Sequence, residues 1–81
     1  MSKNPYPLFS ISKKDKPEQI KARIGLLIRL YLVNQHPIIA QAVVDHINAI
    51  LAHPKFVYTI EQRCLYLRLA THWRCLAWLD N

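Results

Sequence analysis

The side chains of this sequence best suited to chemistry are two cysteines, Cys64 and Cys75, and four histidines, His36, His46, His53 and His72. Thiolate and imidazole groups hold soft metal ions, but a structural zinc site needs several of them converging on one point. His72 and Cys75 stand three residues apart, a spacing that places both on one side of a helix. The remaining histidines lie in other parts of the chain, and no CxxC, HxxxH or HExxH pattern occurs. The expectation is no metal and no cofactor, with the cysteines buried as small apolar residues and the histidines at rims. His46 falls at the border of an apolar stripe, where an interfacial hydrogen bond is its expected role.

Nucleophilic catalysis by a cysteine requires a lowered pKa and a nearby base. Arg63 and Arg74 each precede a cysteine, but adjacent helical residues point about 100° apart. No glycine-rich loop supplies an oxyanion site, and the five acidic residues are too scattered for a carboxylate pair. The sequence therefore reads as a protein that is not an enzyme and has no evident small-molecule substrate.

Three helices are expected to carry these residues, over about 16–34, 37–52 and 60–79. Asp15 and Glu18 are spaced as a capping box, and Pro17 suits a first helical turn. Within the first segment Ile20, Ile24, Leu27, Ile28 and Tyr31 recur at helical spacing, and Leu26, Leu30 and Val33 form a second stripe. Gly25, the single glycine, reads either as a point of close approach for a neighbouring helix or as a neutral placement that costs up to about 1 kcal/mol. Pro37 opens the second segment, and Pro54 disfavours helix at His53. Ile39, Val43, Ile47, Ile50 and Leu51 form its inward stripe, and Gln41, Asp45 and Asn48 its solvent side. Thr59 and Gln62 repeat the capping-box spacing at the start of the third segment.

The third segment, RCLYLRLATHWRCLAWL over residues 63–79, repeats Arg-Cys-Leu after eleven residues. Eleven residues advance a helix by about three turns plus 20°, so both triplets present the same sides. One stripe holds Ile60, Cys64, Leu67, Cys75 and Trp78. A broader one holds Leu65, Tyr66, Leu69, Ala70, Trp73 and Leu76. Arg63 and Arg74 separate the stripes on one side, and Glu61, Arg68 and His72 on the other. One stripe closes a core and the other needs cover.

The fold expected is all-α: three antiparallel helices in a single domain over 16–81, with residues 1–15 as an extended N-terminal arm. Pro5 and Pro7 prevent helix in the arm, while Tyr6, Leu8, Phe9 and Ile11 make it apolar. A chain of 81 residues that is 52% hydrophobic has more apolar surface than a small core hides. This points to a homodimeric helical bundle, the alternative being a monomer whose N-terminal arm folds back over the second stripe. Leu65, Leu69, Trp73, Leu76 and Trp78 are the interface candidates, and Arg63, Arg68 and Arg74 the basic rim. The expected function is a regulatory or adaptor module engaging a protein partner. The competing expectation is a transcriptional regulator whose Arg/Lys rim contacts nucleic-acid phosphates, in keeping with the net charge of +6. Membrane association is not expected, since Arg29 and the polar residues of the second segment interrupt the apolar runs. No apolar segment near the start matches a secretory leader, and the location expected is cytoplasmic.

Overall fold

The structure, a computed structural model, describes residues 9–12 and 14–79. Three helices form it: α1 over Pro17–Val33, α2 over Pro37–Leu51 and α3 over Ile60–Leu79. The described residues contain no strand. Most of the arm expected over residues 1–15 lies outside the described residues, including Pro5, Tyr6, Pro7, Leu8 and Lys13.

α2 is the centre of the fold. Both α1 and α3 pack along it and barely meet each other, which gives a flat body of 34 × 33 × 18 Å. A helix covered on two sides must be apolar around most of its circumference. α2 accordingly buries Ile39, Ala40, Ala42, Val43, Val44, His46, Ile47 and Ile50. Gln41, Asp45 and Asn48 remain on the solvent side as their spacing predicts. Gln41 Nε2 donates to Asp45 Oδ1 at 3.0 Å.

The start of α1 differs from the sequence expectation. Asp15 does not cap the helix. Its carboxylate takes two hydrogen bonds from the Arg23 guanidinium, at 2.7 and 2.9 Å, and one from the Ser12 N–H at 2.8 Å. A forked, charge-assisted pair outweighs a single backbone amide. Gln19 takes over the end of the helix, its Oε1 accepting from the Lys16 N–H at 2.8 Å. Arg23 also donates to the Ser10 carbonyl at 2.9 Å, so the segment before α1 is tied to its second turn. Phe9 packs against the core. Ile20, Ile24, Leu27 and Tyr31 are buried, whereas the second stripe of Leu26, Leu30 and Val33 is exposed. Gly25 meets no neighbour: a Cβ there would have nothing within 4 Å. Of the two readings of Gly25, close approach of a helix is not met among the described residues.

His36 caps α2, its Nδ1 accepting the Ile38 N–H at 3.2 Å. His53, in the link to α3, bonds through both ring nitrogens. Nε2 lies 2.8 Å from the Asp15 carbonyl, an acceptor only, and Nδ1 accepts the Lys55 N–H at 3.0 Å. With Nδ1 accepting, Nε2 is the ring nitrogen that donates to the Asp15 carbonyl. Phe56 and Tyr58 turn inward, with Phe56 5.0 Å from the Tyr58 ring and 6.0 Å from the Tyr66 ring. The Tyr58 hydroxyl donates to the Leu51 carbonyl at 3.3 Å, which holds the link against the end of α2. Thr59 and Gln62 form the reciprocal cap: each backbone N–H reaches the other's side chain, at 3.0 and 3.1 Å.

His46 corrects a second expectation. It is not interfacial but fully buried. Its Nδ1 lies 2.7 Å from the Ala42 carbonyl, so that nitrogen carries the proton. Its Nε2 has no hydrogen-bond partner among the described residues.

Candidate docking face on the third helix

The two apolar stripes of α3 have opposite fates. Ala70, Trp73 and Ala77 are buried, and Tyr66, Leu69 and Leu76 pack partly buried against them. This side carries two buried alanines seven residues apart, one on either side of Trp73. The opposite side carries Ile60, Cys64, Leu67, Thr71, Cys75 and Trp78, all exposed. Ile60 is 79% exposed, Leu67 44% and Trp78 72%. A large aromatic side chain left this far in water is uncommon on a small domain.

The interface residues expected from the sequence therefore divide. Trp73, expected as an anchor, is 6% exposed and belongs to the chain's own core. Leu69 and Leu76 are half-buried against that core. Leu65 is exposed but lies beside the inner stripe rather than on the outer face, whereas Trp78 is exposed on the outer line. The cysteines, expected to be buried, are both exposed on this face. At the sequence level Ile60 and Leu67 read as members of one apolar stripe but not as interface residues, and Thr71 is not placed. Thr71 was the available clue: a polar residue on the centre line of one apolar stripe marks that stripe as the one facing water.

The outer residues follow one another by four, three, four, four and three positions, from Ile60 to Trp78. Such steps draw a nearly straight line along a helix about 30 Å long. Two shallow depressions lie on it and share Thr71. One, of about 390 Å³, is lined by Leu67, Arg68, Thr71 and His72. The other, of about 320 Å³, is lined by Thr71, Arg74, Cys75 and Trp78. The second set has the spacing i, i+3, i+4, i+7. That four-residue diamond is the hole into which a facing helix inserts a side chain in coiled-coil packing.

Charge is arranged along the two edges. Arg63 and Arg74 flank the line on one side and Arg68 on the other, all exposed. Arg63 donates to the Tyr58 hydroxyl at 3.0 Å, so its guanidinium is positioned by the preceding link. Arg68 and Arg74 make no hydrogen bond or ion pair with the described residues. Glu61 is the one carboxylate of the described part of α3. The ion pair found among the described residues, Arg23 with Asp15, belongs to α1 and its approach segment. There the guanidinium, helped by the Ser12 amide, holds the Asp15 carboxyl down at about 2, below its ordinary 3.8.

Among the described residues, no three His, Cys, Asp or Glu side chains are grouped so as to hold a metal ion. None of their helices is long and apolar enough to cross a membrane. No family model, curated protein or solved structure matches this chain.

Proposed function

We propose that this protein is a helical docking module that engages another protein through the outer face of α3, in an adaptor or regulatory role. The observation that carries this reading is the line from Ile60 through Leu67 to Trp78, exposed on the side of α3 opposite its core. Covering each Leu- or Trp-sized side chain contributes about 1.5–3 kcal/mol, and a buried aromatic flanked by arginines has the composition of a binding hot spot. The exposed thiols of Cys64 and Cys75 suit a reducing compartment such as the cytoplasm.

Self-association fits α1 better than α3. The stripe of Leu26, Leu30 and Val33 is exposed, and Arg29 is the one cation beside it. A homodimer with the helices of each chain antiparallel would cover that stripe and leave the α3 face open for a partner.

The competing reading is phosphate contact by the basic rim. The charge of +6 supports it, but Arg23 is occupied by Asp15, and an apolar centre line offers nothing to a phosphate backbone. Binding to unrelated duplexes that falls steeply with added salt would favour this second reading.

Site-specific photo-cross-linking in the native cell tests the docking face. A photoreactive residue at position 67 should give a discrete adduct, and one at Gln41, on the open side of α2, should not. Equal, diffuse labelling from both positions would remove the docking face.

A further inference from the structure

Given the docking reading, on which this inference rests, we infer that the partner is an acidic amphipathic α-helix. Its apolar residues would recur every three to four positions, and carboxylates would line both edges of that stripe. Two independent features of the face select this occupant. The first is shape. The three-and-four stepping from Ile60 to Trp78 and the diamond of Thr71, Arg74, Cys75 and Trp78 form a seam with a hole. That relief suits the side chains of a helix, whereas a lipid surface needs no such register and an extended peptide has a period of two. The second is charge. In two-helix packing the residues flanking the seam choose the partner through their charges. Here Arg63, Arg68 and Arg74 flank it against Glu61 alone. A second copy of α3 would bring three more arginines to the seam and only Glu61 to offset them. A helix with glutamates in the flanking positions would pair with all three.

Cys64 and Cys75 are consistent with this packing. Both lie close to the centre line, where a small side chain leaves room for a partner's leucine. Trp78 closes the C-terminal end of the seam and supplies its largest apolar surface.

The test uses the full chain and three synthetic helices of about twenty residues, sharing one leucine seam and differing only in their flanking positions: all Glu, all Gln or all Lys. Calorimetry should show the Glu helix binding about ten-fold tighter than the Gln helix, as three exposed charge pairs allow, with the Lys helix weakest. Raising the salt should shrink the difference. Trp78→Ala should abolish binding without loss of helicity. The double variant Arg68→Glu, Arg74→Glu should invert the order, so that the Lys helix binds best. Both positions are exposed and unpartnered, so this exchange leaves the fold intact.

Equal binding of the Glu and Gln helices would overturn the acidic partner while leaving the docking face standing. Binding of none of the three by a folded chain would overturn both. Trp78-dependent adsorption to phosphatidylglycerol vesicles, with no affinity for the Glu helix, would replace the helix by a membrane surface. A stable dimer broken by Leu67→Glu, from which the Glu helix cannot displace a copy, would replace it by the chain itself.

Discussion

Tyr31 of α1 and Trp73 of α3 meet edge to face, with ring centroids 5.0 Å apart and planes at 82°. The pair joins two helices that otherwise share little surface, since each packs on α2 instead. Edge-to-face rings add about 0.5–1.5 kcal/mol beyond the area they bury. The contact also fixes which side of α3 faces inward, because a buried Trp73 leaves Trp78, five residues on, pointing outward.

The two tryptophans should therefore respond differently to truncation. Trp73→Ala removes a core ring and should cost about 3–5 kcal/mol, enough to unfold much of a small domain. Trp78→Ala should change stability by less than about 0.5 kcal/mol. Urea unfolding followed by circular dichroism measures both. A double-mutant cycle with Tyr31→Leu and Trp73→Leu should return a coupling of about 0.5–1.5 kcal/mol. A larger loss at Trp78 than at Trp73 would mean that α3 is turned the other way.

Much of this architecture was legible in the residues. Thr59 and Gln62 marked the start of α3 because a reciprocal cap depends only on local chain geometry. Gln41, Asp45 and Asn48 marked the open side of α2 because three polar residues at helical spacing outweigh the one exposed Ile38 beside them. Asp15 misled because the capping pattern is local, whereas its true partner, Arg23, lies eight residues on and offers a stronger forked bond. The orientation of α3 was not legible from hydrophobicity, since both stripes are apolar. Ala70, Ala77 and Thr71 decide it, small residues where α2 must approach and a hydroxyl where water is. The burial of His46 was hidden for a related reason: α2 is covered from two sides, which its own periodicity does not reveal.

Acid should loosen the segment before α1. Asp15 has a carboxyl lowered from 3.8 to about 2, first by the Arg23 hydrogen bonds and then by the Ser12 amide. A carboxyl lower in the folded state stabilises the fold above its unfolded value, and that contribution is lost as the pH falls from about 4 to 2. Asp15→Asn should flatten the stability profile across this window. Arg23→Gln should return the Asp15 carboxyl toward its ordinary range. Urea midpoints against pH and carbon NMR of the carboxyl read these two effects. A wild-type profile already flat between pH 4 and 2 would show that the pair contributes nothing to folding.

His46 carries a buried lone pair on Nε2 without a partner among the described residues. Leaving a polar atom unsatisfied costs about 1–3 kcal/mol, whereas an apolar group of similar shape carries no such penalty. The Ala42 carbonyl that His46 contacts is also a helical acceptor, so it is not orphaned by the change. His46→Leu should hold or raise the stability, by up to about 1 kcal/mol. A clear loss of stability in thermal unfolding would mean that Nε2 has a partner in solution, such as an ordered water.

Gly25 lies inside α1 with open space around it. A mid-helix glycine costs about 0.5–1 kcal/mol relative to alanine. Gly25→Ala should raise the thermal midpoint by a few degrees, as expected of such an increment in a domain of this size. A lowered midpoint would show that another surface approaches the glycine in solution, and the stripe of Leu26 and Leu30 beside it would be where to look.

The cysteines provide a check on the docking face that requires no substitution. Cys64 and Cys75 are both exposed on it and about 16 Å apart along α3, far beyond the reach of a disulfide within one chain. In the native protein both thiols should react with a chromogenic disulfide at rates close to those of the unfolded chain, and mild oxidation should give no intrachain bridge. Attaching a bulky maleimide should leave the helical signal intact and eliminate binding of the acidic helix. Modification at Cys75 alone should suffice, because that side chain walls the depression beside Trp78. Thiols that react only after unfolding would place the face inside the molecule, and a fully labelled chain that still binds the helix at full affinity would place the contact elsewhere.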